Sequence, residues 1–155
     1  MKILSVCLLI VCAFPSCESK QNTEKSAVPD NPMIGTWQLI SGTTIQGKDT
    51  TVTDYTKNKY CLKIINSTHF AFVGHDLNKG KDSAAVFSSG GGSYSLMDSL
   101  YTEHLQYCSD RQWEGNSFNF TITIIGDTLI QKGIEKIEKI GVNRINIEKY
   151  VRVKK

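Results

Sequence analysis

The chain has 155 residues, with 18 lysines and arginines against 15 aspartates and glutamates and a formal charge of +3. Beyond a leader, that length supports one domain rather than two, and so even a balance of charge gives no basis for nucleic-acid binding, which needs clustered basic side chains. Five cysteines and three histidines (His69, His75, His104) show no zinc-ligand spacing, so neither a metal nor another cofactor is expected.

Lys2 begins a short basic start, and Ile3 to Phe14 is an apolar run too short to hold a bilayer as a stable span. Pro15-Ser16-Cys17 follows, with a small residue directly before the cysteine. This segment resembles the signal and lipobox of a bacterial lipoprotein, with Phe14 and Pro15 looser than the usual Leu-Ala type pair. The resemblance implies that 1–16 is removed as a signal peptide and that Cys17 is acylated. The domain would then be extracytoplasmic, in the bacterial cell envelope, anchored to a membrane through Cys17. An ordinary secretory peptide cut elsewhere is the alternative, and both take the chain out of the cytosol. Residues 17–32 are rich in Ser, Lys, Glu, Asn and Pro without apolar periodicity, which predicts a disordered tether.

From 33 to 155 the pattern has a period of two, the signature of strands with one face buried. Trp37 and Leu39 share a face. Tyr60, Leu62 and Ile64 alternate with Lys59, Cys61 and Lys63, which puts the apolar set inside and the lysines and Cys61 outside. Phe70 and Phe72 alternate with His69 and Ala71. Tyr94 and Leu96 follow Gly90-Gly91-Gly92, read as a hairpin turn because no Lys-Ser/Thr and no helix follows to make a phosphate loop. Tyr101, Glu103, Leu105 and Tyr107 share one face, with Cys108 on the other; Phe118, Phe120, Ile122 and Ile124 share another. Cys61 and Cys108 could be oxidised in an extracytoplasmic compartment, but outward orientation on strands that are not neighbours argues against a bridge.

Asn66-Ser67, Asn78-Lys79-Gly80, Glu114-Gly115-Asn116, Gly126-Asp127 and Gly141-Val142-Asn143 break these runs. Gly126-Asp127 between β-branched runs is a tight-hairpin signal. Ile134, Ile137 and Ile140 recur every third residue, so 133–141 reads either as a helical turn or as a twisted hairpin. The sum predicts an all-β domain, a single antiparallel up-and-down meander whose closure into a barrel would remove its edges.

Gly35-Thr36-Trp37 on the first strand, together with Arg152 on the last, resembles the pattern of lipocalins and the wider calycin barrels. Gly90 to Leu96, Tyr101 to Tyr107, Asp127 to Gly133 and Glu148 to Arg152, taken in order, are similar to small lipocalin-like domains of bacterial lipoproteins, a largely uncharacterised subgroup. The resemblance implies that Gly35, Trp37 and Arg152 close one end of a barrel, with the guanidinium over the indole ring. It implies a barrel and no particular activity.

Within such a barrel the expected partner is a small, partly apolar molecule held by Phe70, Phe72, Tyr94, Tyr101, Tyr107, Phe118 and Phe120 and oriented by Glu103. A carboxylate inside needs hydrogen-bond donors or a cation. Glu148, Tyr150 and Arg152 share a face of the last strand and could supply partners, unless Ile145, Ile147, Val151 and Val153 are the inward set. A structural network, or a strand end where Glu103 reaches water, is the competing reading of that residue. Trp113 would either stack on a sugar or a partner from a loop, or fold over the rim. A filled barrel serving a non-enzymatic structural or interaction role in the envelope is the alternative to ligand binding, and cavity volume separates the two. No acid/base pair, nucleophile elbow or dyad is legible, so no enzyme and no catalytic residue is expected.

Overall fold

The computed structural model describes residues 31–81, 83 and 85–154. The segment expected to be a signal peptide, the expected lipidation at Cys17 and nearly all of the expected tether lie outside the described residues. Nine strands follow in chain order: β1 (Gly35–Gln46), β2 (Asp49–Asp54), β3 (Lys59–Ile65), β4 (His69–Asp76), β5 (Phe87–Met97), β6 (Leu100–Cys108), β7 (Ser117–Ile125), β8 (Thr128–Ile137) and β9 (Val142–Arg152). Among the described residues the only helical pieces are two single 3-10 turns, Arg111–Trp113 and Glu138–Ile140. The second closes the β8–β9 hairpin with Gly141 left-handed behind it, so 133–141 is a hairpin carrying a short 3-10 turn.

Every neighbouring pair is antiparallel, and β1 also pairs with β9, so eight strands close into a barrel. The long first strand makes this possible. Its lower part (Gly35 to Gln38) pairs with β3, and its upper part (Ser41 to Gln46) pairs with β2 on the same side. Closure pairs the first strand with the last, and only β2, which pairs with β1 alone, ends the strand order. The largely exposed β2 has no apolar alternation, so no periodic signal marks it in the sequence.

The period-two reading holds for β1, β4 and β7 and fails in three places, each with a local cause. First, β3 is turned over. Lys63 and Ile65 are buried and Cys61 faces in, whereas Ile64 is exposed. The Asn66–His69 connection is a tight hairpin in which Ile65 opposes Phe70 and Lys63 opposes Phe72. Directly opposed residues share a face, so the inward phenylalanines take Lys63 in with them.

Second, β6 carries a bulge at Gln106: Gly92 opposes Leu105 while Gly91 opposes Tyr107. One extra residue flips everything beyond it to the other face. Tyr107, expected inside, therefore points outward and is 70% exposed, and Cys108, expected outside, faces in. Third, Gly90-Gly91-Gly92 is not a turn but the middle of β5. A β-carbon at Gly92 would lie 1.9 Å from the His104 carbonyl oxygen, beside that bulge. The glycines are needed for close backbone approach, not for a bend.

The core sits at the end where the chain enters and leaves the barrel. Met33, Trp37, Tyr101 and Leu129 are essentially inaccessible there, with Phe70, Phe120 and Ile65 around them. Residues 31–34 lie across this end and are tied to it: the Trp37 indole N–H donates to the Met33 carbonyl at 2.7 Å, and Asn31 donates to the Tyr94 hydroxyl at 2.8 Å. Ordered contacts thus begin two residues earlier than the composition suggests.

Trp37 and Arg152 are paired in register across the β1–β9 seam, and the guanidinium carbon lies 4.0 Å from the indole centroid. Arg152 also donates to the carbonyls of Ile34 (2.9 Å) and Pro32 (2.7 Å). Gly35, at φ +143°, has no side chain because its place is taken: a β-carbon would fall 2.6 Å from the Arg152 guanidinium nitrogen.

Candidate functional site

The opposite end is open. Between the packed end and the mouth lies a cavity of about 350 Å³. Its wall is built from residues of eight strands, and three aromatic side chains (Tyr55, Phe72, Trp113), all half-buried, form much of its apolar surface with Leu105 and Phe118. Tyr55, in the β2–β3 connection, lies over Gly42, where any side chain would push against its ring. Trp113, presented by the 3-10 turn, folds over the rim: its ring centroid is 5.8 Å from that of Phe118, and the Arg144 guanidinium sits 5.1 Å from it.

The buried base of the site is ionic. Lys63 donates to Glu103 at 2.5 Å and to Gln131 at 2.8 Å, joining residues 40 and 68 positions away in the chain. All three are buried, and the ammonium is ringed by Phe70, Tyr101 and Tyr150 at 5.4 to 5.6 Å. A buried carboxylate is tolerable only with such partners, and the ring faces add cation–π attraction. The Tyr101 hydroxyl, beside Glu103, is buried without a hydrogen bond of good geometry. Burial, reinforced by that carboxylate, pushes its pKa far up, so it stays a neutral phenol.

A second polar set lies higher. Arg144 donates to one oxygen of Glu135 at 2.6 Å and Asn146 to the other at 2.9 Å. Burial raises the Glu135 pKa, and the Arg144 guanidinium opposes that rise. Glu148 accepts from the Tyr150 hydroxyl at 2.7 Å and, among the described residues, forms no ion pair. Cys61 and Cys108 both line the cavity as free thiols, with β4 and β5 between their strands. Burial pushes both thiols above the ordinary value of 9.0, so neither is a thiolate at neutral pH.

Of the residues singled out in the sequence, Phe72, Glu103, Phe118 and Tyr150 line this cavity. Phe70, Tyr101 and Phe120 belong to the packed end below it, and Tyr94 packs there against Tyr101 at 5.3 Å. Tyr107 is on the outer surface. The last strand turns Glu148, Tyr150 and Arg152 inward, while Ile145, Ile147 and Val151 form its other face. The nearest partner of Glu103 comes instead from β3. Sequence reasoning missed Lys63, Gln131, the Glu135–Arg144 pair and Tyr55. The phenylalanines of β4, followed back through the tight Asn66–His69 hairpin, carried the signal for Lys63. Glu135 and Arg144 oppose each other across β8–β9, a pairing that could be read once the hairpin centred on Glu138–Ile140 was recognised.

A comparison with protein-family models and with the curated proteins finds no match for the chain.

Proposed function

We propose that this chain is a lipocalin-like binding module that takes a small, partly apolar molecule through the open mouth, and that it works at a membrane surface, anchored through a lipid on Cys17. The observation that carries the first half is the cavity. Its volume of about 350 Å³ lies at the low end of the usual range for small-molecule sites. A barrel with a purely structural role would be filled along its whole length, and this one is filled only at the Trp37 end. The wall is largely aromatic and aliphatic, with polar groups fixed by their own hydrogen bonds, the composition that gives affinity by burial and direction by a few contacts. Among the described residues of the cavity, Glu103 and Glu135 are each held by a cation, and Glu148 has only the Tyr150 hydroxyl beside it, which gives no acid/base pair. Binding without turnover is therefore the reading adopted.

Titration with the neutral dye Nile red tests the cavity. Saturable fluorescence enhancement at one dye per chain is expected, and Ser88→Trp, which places an indole against the wall, should abolish it. Absence of binding, or binding indifferent to that substitution, would favour an interaction role for the outer surface instead. The anchor is tested separately by mass spectrometry of the mature N-terminus. A lipid-modified Cys17 is expected, and Cys17→Ala should release the protein from membranes.

A further inference from the structure

We infer that the occupant of this cavity carries a cationic amine on a flat apolar body, and that Glu148 is its counter-ion. The inference rests on the binding reading above and extends it to a ligand class.

The argument is one of charge and saturation. Five ionisable groups of fixed sign face the cavity below its rim: carboxylates Glu103, Glu135 and Glu148, and cations Lys63 and Arg144. Lys63 is committed to Glu103 and Gln131. Arg144 is committed to Glu135, whose other oxygen is filled by Asn146. Glu148 is left over. One of its oxygens accepts the Tyr150 hydroxyl, and among the described residues no cation meets it. Asp110 at the rim adds a further negative charge. The cavity thus carries one negative charge in excess, two with the rim, and an anionic guest would enter against that field.

What surrounds Glu148 fits the opposite sign. Glu148 stands opposite Gly42 on β1, and it is over Gly42 that the Tyr55 ring lies. An ammonium group reaching the Glu148 carboxylate would therefore form a charge-assisted hydrogen bond beside the Tyr55 ring, whose centroid already has the Lys59 ammonium 5.4 Å away. Phe72, Phe118 and Trp113 remain for the apolar body.

The test titrates the full chain with three probes of one shape, phenethylamine, phenethyl alcohol and hydrocinnamate, each in competition with Nile red. Phenethylamine should bind at least about tenfold more tightly than hydrocinnamate, the equivalent of ~1.4 kcal/mol and the low end for a hydrogen bond to a charged group. In Glu148→Gln, which keeps an oxygen for Tyr150, the amine should fall to the affinity of the alcohol. The alcohol itself should stay within about twofold, a change too small to reflect a lost contact. Hydrocinnamate equal to or tighter than phenethylamine in the native chain would overturn the assignment without help from any variant. So would an amine affinity indifferent to Glu148→Gln, or displacement of Nile red by none of the three. If Nile red also fails to bind, the binding reading falls with it, which distinguishes the two failures.

Discussion

The two ends of this barrel are built from the same strands and behave as different materials. At the Trp37 end the largest side chains are buried, and most polar atoms that enter find partners within the chain: the indole N–H has the Met33 carbonyl, and Arg152 has two carbonyls and a ring, while the Tyr101 hydroxyl is buried without one. At the mouth the aromatic side chains are only half-buried and Glu148 keeps a charge that no described residue neutralises. Alternation along the strands creates an interior in both places. Side-chain size and the saturation of polar groups decide whether that interior becomes a plug or a pocket. Lys63, Glu103 and Gln131 mark the boundary.

The sharpest way to break this contrast is to truncate one tryptophan at each end. Trp37→Ala should cost about 3–5 kcal/mol by opening a cavity in a packed core, visible as a lowered urea midpoint. Trp113→Ala should cost no more than about 1 kcal/mol, as expected outside the core, while weakening Nile red binding. Equal losses of stability would mean that the rim is as closely packed as the base.

The boundary is probed next. Lys63→Met leaves the Glu103 carboxylate buried without its cation and should destabilise by about 3 kcal/mol or more. Adding Glu103→Leu should restore most of that loss, since an apolar pair of similar volume removes the stranded charge. A double variant no better than the single would show that the base depends on the ion pair itself. At the closing seam the effect is smaller. Arg152→Met keeps the stem but loses the guanidinium, and about 1–2 kcal/mol should go with the ring contact and two hydrogen bonds.

The smallest expected effect lies at the turn that presents Tyr55. The Thr56 hydroxyl and N–H hold the Asp54 carboxyl down at about 2 from its ordinary 3.8. A depressed carboxyl contributes stability above its unfolded value and loses it as pH falls through the folded one. The difference in urea midpoint between the native chain and Asp54→Asn should therefore be full near neutral pH and shrink between pH 3.8 and about 2. A difference that does not change across that window would assign the effect to the turn's shape rather than to its charge.

The sequence by itself determined the all-β class, most of the strand breaks, and the meeting of the first and last strands at Trp37 and Arg152. The first two follow from period-two alternation and turn residues, which are local properties, and the third from the resemblance of Gly35-Thr36-Trp37 and Arg152 to the lipocalin pattern, with which the antiparallel geometry of closure agrees. Glu103 was legible as an inward carboxylate because Tyr101 and Leu105 flank it on one face. The tertiary structure alone decided what lies opposite it. Alternation fixes a face only up to one residue of phase, so a tight hairpin turned β3 over and one bulge sent Tyr107 out and Cys108 in. The partners Lys63 and Gln131 come from distant strands, brought together only by closure of the barrel, and no local pattern records a contact made across an enclosed space.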